Sequence, residues 1–503
     1  MSLETIRHPD GRVEVVGDLS ASPLFNHDLA PVPVKERTWT TYNYAALWIA
    51  MAHCIPTYML AEGLLKVGMS WGQAIFTVLL GNLIVLVPIL LNSHPGTKYG
   101  IPFPVFARAS YGVFGANLPA IMRALVACGW FGINAWIGGQ AVDGLLHVIW
   151  HGWDSWGGTI GGYTPGMWIG FLIFWAFNIL IVYRGMETLR HFENWSAPFV
   201  LVMTAGLLFY LVQQAHGLGP IMSTPGTLDT WAKFMPVFIP ALTAMIGFWA
   251  TLSLNMPDFT RYGASQRGQL VGQVVGLPTT MALFSMMGVI ITSAGAFVFH
   301  DSADALWGPV GLVSHLPSGK AVALGMLTIV IATISVNVAA NTVSPANDFS
   351  NAWPQRIDFK TGGLMTGILG IVIQPWRLLA DPKAYIFDWL GFYSGGLAAI
   401  AGVLIVDYWL VRRTELKLPD LYQTGGCYRY ARGWNWAAIA ATLAGCFAAW
   451  GGRVIPVMAP LVPYGWFAGF FAAGLVYYCL PRTLAAPEAL VAPAMAEPTV
   501  PAE

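Results

Sequence analysis

Along the chain, long apolar stretches alternate with short polar connections. A helix that crosses a bilayer needs about 20 largely apolar residues, and windows of that length place twelve candidates. They lie near 42–65, 73–93, 117–147, 167–183, 196–214 and 236–256, then 271–299, 320–345, 362–380, 385–411, 435–451 and 461–481. The pattern predicts an all-α integral membrane protein with twelve transmembrane helices. Residues 1–40 form a polar N-terminal tail without the apolar core of a signal peptide. A polar loop at 412–434 precedes the last two spans, and an Ala/Pro/Glu-rich tail fills 482–503. Both tails are expected to be mobile or loosely packed.

Composition sharpens this picture. Of the 503 residues 56% are apolar and only 10% are charged, against about 25% charged in a soluble domain; mean hydropathy is +0.59. Twenty-two Trp and 55 Gly suit a polytopic protein, with aromatics at the interfaces and glycines between helices. The 25 basic and 25 acidic residues cancel, which excludes a nucleic-acid binder working through a basic field. Cys54, Cys128, Cys427, Cys446 and Cys479 show no metal or disulfide spacing and read as small apolar side chains. Eighteen of the Lys and Arg residues fall on the side that would carry both termini and six on the other. By the positive-inside rule both termini are expected in the cytoplasm, in a multi-pass protein of the plasma (inner) membrane. The chain has no GxxxxGK[ST] motif for nucleotide-driven pumping. His, Asp and Glu are too sparse in the spans for a membrane-embedded enzyme.

Two spans carry breaks in corresponding places. Span 1 contains AMAHCIPTYML, with His53 and Pro56 mid-membrane, and span 6 contains GFWATLSLNMPDF, with Asn255 and Pro257. Proline removes a helical hydrogen bond, and the freed groups need protein or a watery cavity as partner. Such pairs of interrupted helices mark secondary transporters built from inverted repeats; the simpler reading is a kink with no ligand. Spans 1 and 6 would each open a five-helix half, about 41–214 and 236–411, within a core of 41–411. Spans 11 and 12 (435–481) lie outside it. In span 3, CGWFGINAWIGGQ puts Trp130 and Asn134 on one face; in span 8, IATISVNVAANTVSPAND does the same for Asn337 and Asn341, while Ala332, Ser335 and Val336 line another. Mid-membrane amides need partners, supplied either by a ligand or by neighbouring helices. The intramembrane acids Glu62 and Asp143 lie toward the outer ends and read as interfacial.

The runs HPGTKYGIPFPVFARASYGVFGANLPA (94–120), CGWFGINAWIGG, GFWATLSLNMPDFTRY, ATISVNVAANTVSPAND and VDYWLVRR resemble the nucleobase–cation symporter-1 family over roughly residues 34–481. HCIPTY, RASYG and SVNVAAN are most similar to its bacterial allantoin permeases, with hydantoin transporters more distant. The resemblance implies a leucine-transporter-type fold: a 5+5 inverted repeat plus two C-terminal helices, working by alternating access. It implies import of a small planar nitrogen-rich ring such as allantoin, hydantoin or a uracil-type nucleobase; thiamine or an amino acid on the same scaffold is the alternative. Partners would be that small molecule and the lipid bilayer, with no cofactor, protein partner or nucleic acid.

Carried over by motif, the ring would lie between Trp130 and Trp249. Asn134, standing where the family often has Gln, and Asn341 would hold its edge. Cys54 replaces an amide side chain of relatives, and Phe248 and Asn337 complete the expected substrate contacts. The positions that match a sodium site are Ala50, His53, Ala332, Ser335 and Val336. Val336 stands in place of a hydroxyl-bearing Thr, and a hard cation needs oxygens. This reads as a vestigial sodium site and leaves the coupling open between proton, sodium and none.

Overall fold

The computed structural model describes residues 4–184, 186–218, 222, 226–299, 308–379 and 383–480. The expected C-terminal tail, 482–503, lies outside them. Each predicted span is helical. Span 1 is a pair of helices, Thr41–Ala52 and Ile55–Lys66, bent by 58°. It is followed by span 2 (Trp71–Tyr99), span 3 (Asn117–Ile149), span 4 (Pro165–Arg184) and span 5 (Met186–Gln214). Span 6 starts as Trp231–Phe248, and span 7 is Gln266–Phe299. Span 8 is Gly319–Asn341 continued by Val343–Ala352, and span 9 is Phe359–Val372. Span 10 runs over Ala384–Val411, span 11 over Trp436–Trp450 and span 12 over Pro456–Cys479. Among the described residues, eight helices are long and apolar enough to cross a membrane, and nine if the bent pair counts as one span.

The breaks have local causes. Pro56, one residue into the second half of span 1, cannot donate to the preceding turn, and the chain passes through an extended Cys54 (φ −133°, ψ 157°). In span 6 the helix ends at Phe248, well before Pro257; Leu252–Asn255 and Pro257–Thr260 follow as single turns. Two features were not anticipated. Span 8 steps at Thr342, whose hydroxyl donates to Asn337 O (3.3 Å). Span 10 opens and closes in π-helix, at Ala384–Leu390 and Val406–Val411, and π turns are uncommon outside functional helices. Spans 10 and 12 pack backbone to backbone at Gly402, where a Cβ would sit 2.3 Å from Phe470 O; small residues allow such approaches in membranes.

The N-terminal tail does not behave as expected. A hairpin of Glu4–Arg7 with Val13–Val16 leads into a segment whose Val13, Leu19, Leu24, Leu29 and Val32 are buried. Arg37, 2% exposed, donates to the carbonyls of Val13, Val32, Thr97 and Lys98. Arg261 donates to Asp28 O (2.8 Å), Tyr422 to Leu29 O (2.7 Å) and Asn26 to Pro354 O (2.8 Å). The tail is a docked strap, because irregularly spaced apolar residues and backbone carbonyls find partners on several loops at once. Glu415 ties its start: it pairs with Arg7 and accepts from Lys98 Nζ (2.9 Å). Burial would raise this carboxyl, but the hydrogen bonds from Arg7 and Lys98 outweigh it and hold it below the usual range.

Candidate substrate site

The two broken spans and the polar faces of spans 3 and 8 meet around a small cavity. Span 1 contributes Met51, Cys54 and Pro56; span 3 contributes Trp130 and Asn134. Phe248, Trp249, Thr251 and Leu252 come from the break in span 6, and Val336, Ala340 and Asn341 from span 8. Six of the seven residues expected at the substrate therefore share one wall: Trp130, Asn134, Trp249, Asn341, Cys54 and Phe248. Met51, Thr251 and Ala340 were not singled out in the sequence, which carries no signal separating them from packing residues.

Asn337, the seventh, does not line the cavity. It is fully buried behind it, donating to Phe131 O (3.3 Å) and to Asn178 Oδ1 of span 4 (3.2 Å). Its own Oδ1 accepts from Asn341 Nδ2 (3.1 Å). Its partners on spans 3 and 4 are interhelical; it also engages one of the two Asn341 amide N–H groups and leaves that side chain a carbonyl oxygen and a second N–H.

The wall has a distinctive polar pattern. Asn134 Nδ2 donates back to Trp130 O (3.0 Å), while Asn134 Oδ1 is buried without a partner. Trp249 Nε1 is likewise buried and unpaired. One orphan acceptor and one orphan donor thus belong to two residues that line the cavity, and such buried atoms are costly unless something pairs them. Around them the aromatic rings meet edge to face. Trp130 and Phe248 lie 5.1 Å apart at 76°, Phe248 and Trp249 4.9 Å apart at 87°, and Trp48 and Trp249 5.1 Å apart at 90°.

The five candidate ion positions do not all line one cavity. His53 and Ala332 border a second, larger and mostly apolar cavity beside spans 5 and 7, where the His53 ring stacks on Phe284 (4.0 Å, 17°). Thr204 Oγ1 lies 3.4 Å from His53 Nε2, a hydroxyl that sequence reading missed. Val336 instead faces the smaller cavity, and Ala50 and Ser335 line neither. Ala50 sits in the last turn of its helix, where carbonyls lack intrahelical partners. Among the described residues no cluster of His, Cys, Asp or Glu is suited to a metal ion.

Just past the cavity, span 6 enters a buried ionic cluster. Arg123 Nη1 of span 3 lies 3.3 Å from Asp348 Oδ2 on the extension of span 8. Asn255, with its carbonyl turned toward Arg123 Nη2 (3.2 Å), also accepts from Ser344 Oγ, and Asp258 Oδ1 accepts from Phe103 N (2.9 Å). The acids named earlier have structural partners as well. Glu62 accepts from Gly308 N (3.0 Å) and pairs with Lys66 (3.3 Å), and it is fully buried. Asp143 accepts from the Trp153 indole (2.7 Å).

Comparison with known proteins gives this architecture a family. A family profile described as "Permease for cytosine/purines, uracil, thiamine, allantoin" matches residues 31–469. An allantoin permease of Bacillus subtilis is 40% identical over 462 residues, 91% of this chain and 93% of that protein. The chain belongs to the nucleobase–cation symporter-1 family. A purine-uracil permease of Arabidopsis thaliana is 41% identical over 84% of this chain and 70% of its own length. A solved nucleobase–cation-symport-1 transporter, in a closed conformation with bromovinylhydantoin bound, superposes with a TM-score of 0.74. It is 26% identical, with 92% of this chain and 96% of that one covered. As a member of the nucleobase–cation symporter-1 family the chain is a multi-pass membrane permease of leucine-transporter type, not an enzyme.

Proposed function

We propose that this permease imports a small planar ring bearing alternating N–H and C=O groups, of the allantoin, hydantoin or uracil kind, by alternating access. One observation carries the reading: Asn134 and Trp249, whose Oδ1 and Nε1 are buried without partners, both line a cavity bordered by two indoles. A flat ring stacks on aromatic faces. Its N–H then meets the Asn134 and Asn341 carbonyls and its C=O meets the Trp249 indole. Among the described residues no Lys or Arg lines the cavity, which disfavours the amino-acid alternative with its carboxylate. The relatives named as allantoin and purine-uracil permeases support the substrate class. The permease sits in the plasma membrane with both termini cytoplasmic, as the Lys and Arg distribution argues. Residues 41–214 and 236–411 are its two repeats, and coupling to sodium is lost or weakened by Val336.

The test is saturable uptake and binding over allantoin, hydantoin, uracil, thiamine and an amino acid. In this reading a ureide or pyrimidine binds best, and Trp130→Ala or Trp249→Ala abolishes saturable uptake while the protein still inserts. For so small a ligand one stacking face is a large share of the affinity. Unchanged affinity in either variant refutes the pocket assignment.

A further inference from the structure

The Trp130 indole N–H is already committed. It donates to Tyr393 Oη of span 10 at 3.1 Å, and that hydroxyl donates in turn to Gly247 O at 2.8 Å. Gly247 is next to last in the first half of span 6. Its carbonyl also takes the Ala250 N–H at 3.0 Å, so both of its lone pairs are used at the break. Span 10 reaches this carbonyl because Gly247 has no side chain; a Cβ there would lie 2.7 Å from Leu390 O. The rest of the span boxes the same indole edge-on, with Tyr385 at 6.2 Å and 89° and Trp389 at 6.4 Å and 69°. Those ring contacts are tolerant of rotation. The hydroxyl bond is not, because an N–H to oxygen bond weakens steeply away from linearity.

We propose that Tyr393 is a positioning residue for substrate: its hydroxyl clamps the Trp130 indole to the broken end of span 6, so that the stacking face is preset before the ring arrives. The proposal rests on the reading of Trp130 as a wall of the substrate cavity. Preset groups bind more tightly because ordering them no longer counts against binding. The clamp also joins span 3 to span 6 through span 10, the two sides that the bound ring must bridge.

The experiment is a double-mutant cycle on purified protein, measuring Kd for whichever of allantoin, hydantoin and uracil binds the wild type best. Tyr393→Phe keeps the ring and removes the hydroxyl, and should raise Kd about tenfold. In a Trp130→Phe background, which has no N–H to clamp, the same change should have an effect of less than about threefold. A purely structural tyrosine would cause the same loss in both backgrounds, and that result, or a Kd within twofold of the wild type for Tyr393→Phe, overturns the proposal. Should Tyr393→Phe not be recovered folded, Trp130→Phe removes the bond from its other end, and an unchanged Kd there overturns the proposal equally. Trp130→Ala separates the two readings. If it leaves binding intact, the pocket assignment itself fails; if it abolishes binding while Tyr393→Phe does not, only the clamp fails.

Discussion

Replacing Asn134 with Leu should make the substrate-free protein slightly more stable and, at the same time, a much poorer binder. The side chain is 1% exposed, its Nδ2 bonded to Trp130 O and its Oδ1 unpaired. An unpaired buried acceptor costs about 1–3 kcal/mol. The lost bond to a helical carbonyl is worth about 0.5–1.5 kcal/mol, and Leu fills nearly the same volume. Without substrate the difference favours Leu by about 1 kcal/mol. With substrate the sign reverses: a bond from a ring N–H into a dry wall is lost, about 1–3 kcal/mol, or about 5- to 150-fold in Kd. The assay is thermal unfolding of detergent-solubilised protein with and without allantoin, paired with an equilibrium binding isotherm. A variant that melts earlier than the wild type yet binds allantoin normally would refute the reasoning, because Asn134 would then be a packing residue with a satisfied carbonyl.

Three further outcomes follow from particular contacts. Arg123→Ala leaves Asp348 buried without its cation and should lower stability by about 3–5 kcal/mol, read as a collapse of the melting transition; a wild-type melting curve would show that the cluster is hydrated. Substrate affinity in the wild type should be nearly indifferent to exchange of sodium for choline, whereas Val336→Thr restores a hydroxyl and should introduce sodium dependence, with substrate tightening sodium reciprocally. Glu415 has a depressed pKa in the folded state, so its contribution to docking the N-terminal strap is present above its ordinary value of 4.5 and fades as pH falls below it. Limited proteolysis of the hairpin at residues 4–16 should therefore be faster in acid, and Glu415→Gln should show that faster cleavage at every pH.

How much of this was legible follows from which interactions are local. The class and the helices were legible because crossing a bilayer demands a continuous apolar run, and a helix satisfies its own backbone within that run. The break in span 1 was legible because Pro56 lacks an N–H wherever it stands. In span 6 the same logic pointed to Pro257, whereas the helix ends at Phe248, where Tyr393 and the close approach of span 10 give Gly247 O a partner outside its own helix. The strap was read as loose because its buried residues follow no period; their partners lie hundreds of residues away, on Pro354 and Tyr422.

Helical periodicity along the chain set which residues could share a helix face, and so paired Trp130 with Asn134 and Asn337 with Asn341. Tertiary packing decided that both members of the first pair meet the cavity but only Asn341 of the second. Asn337 and Asn341 are equivalent by periodicity, yet Asn178 of span 4 and the Phe131 carbonyl of span 3 claim the first and leave the second at the wall. The same holds for the indoles: nothing in the order of residues distinguishes Trp130, its N–H held by Tyr393, from Trp249, whose N–H is unpaired. The reason is physical. Helical periodicity is set by hydrogen bonds four residues apart, whereas the satisfaction of a buried polar atom depends on whichever distant segment packs against it.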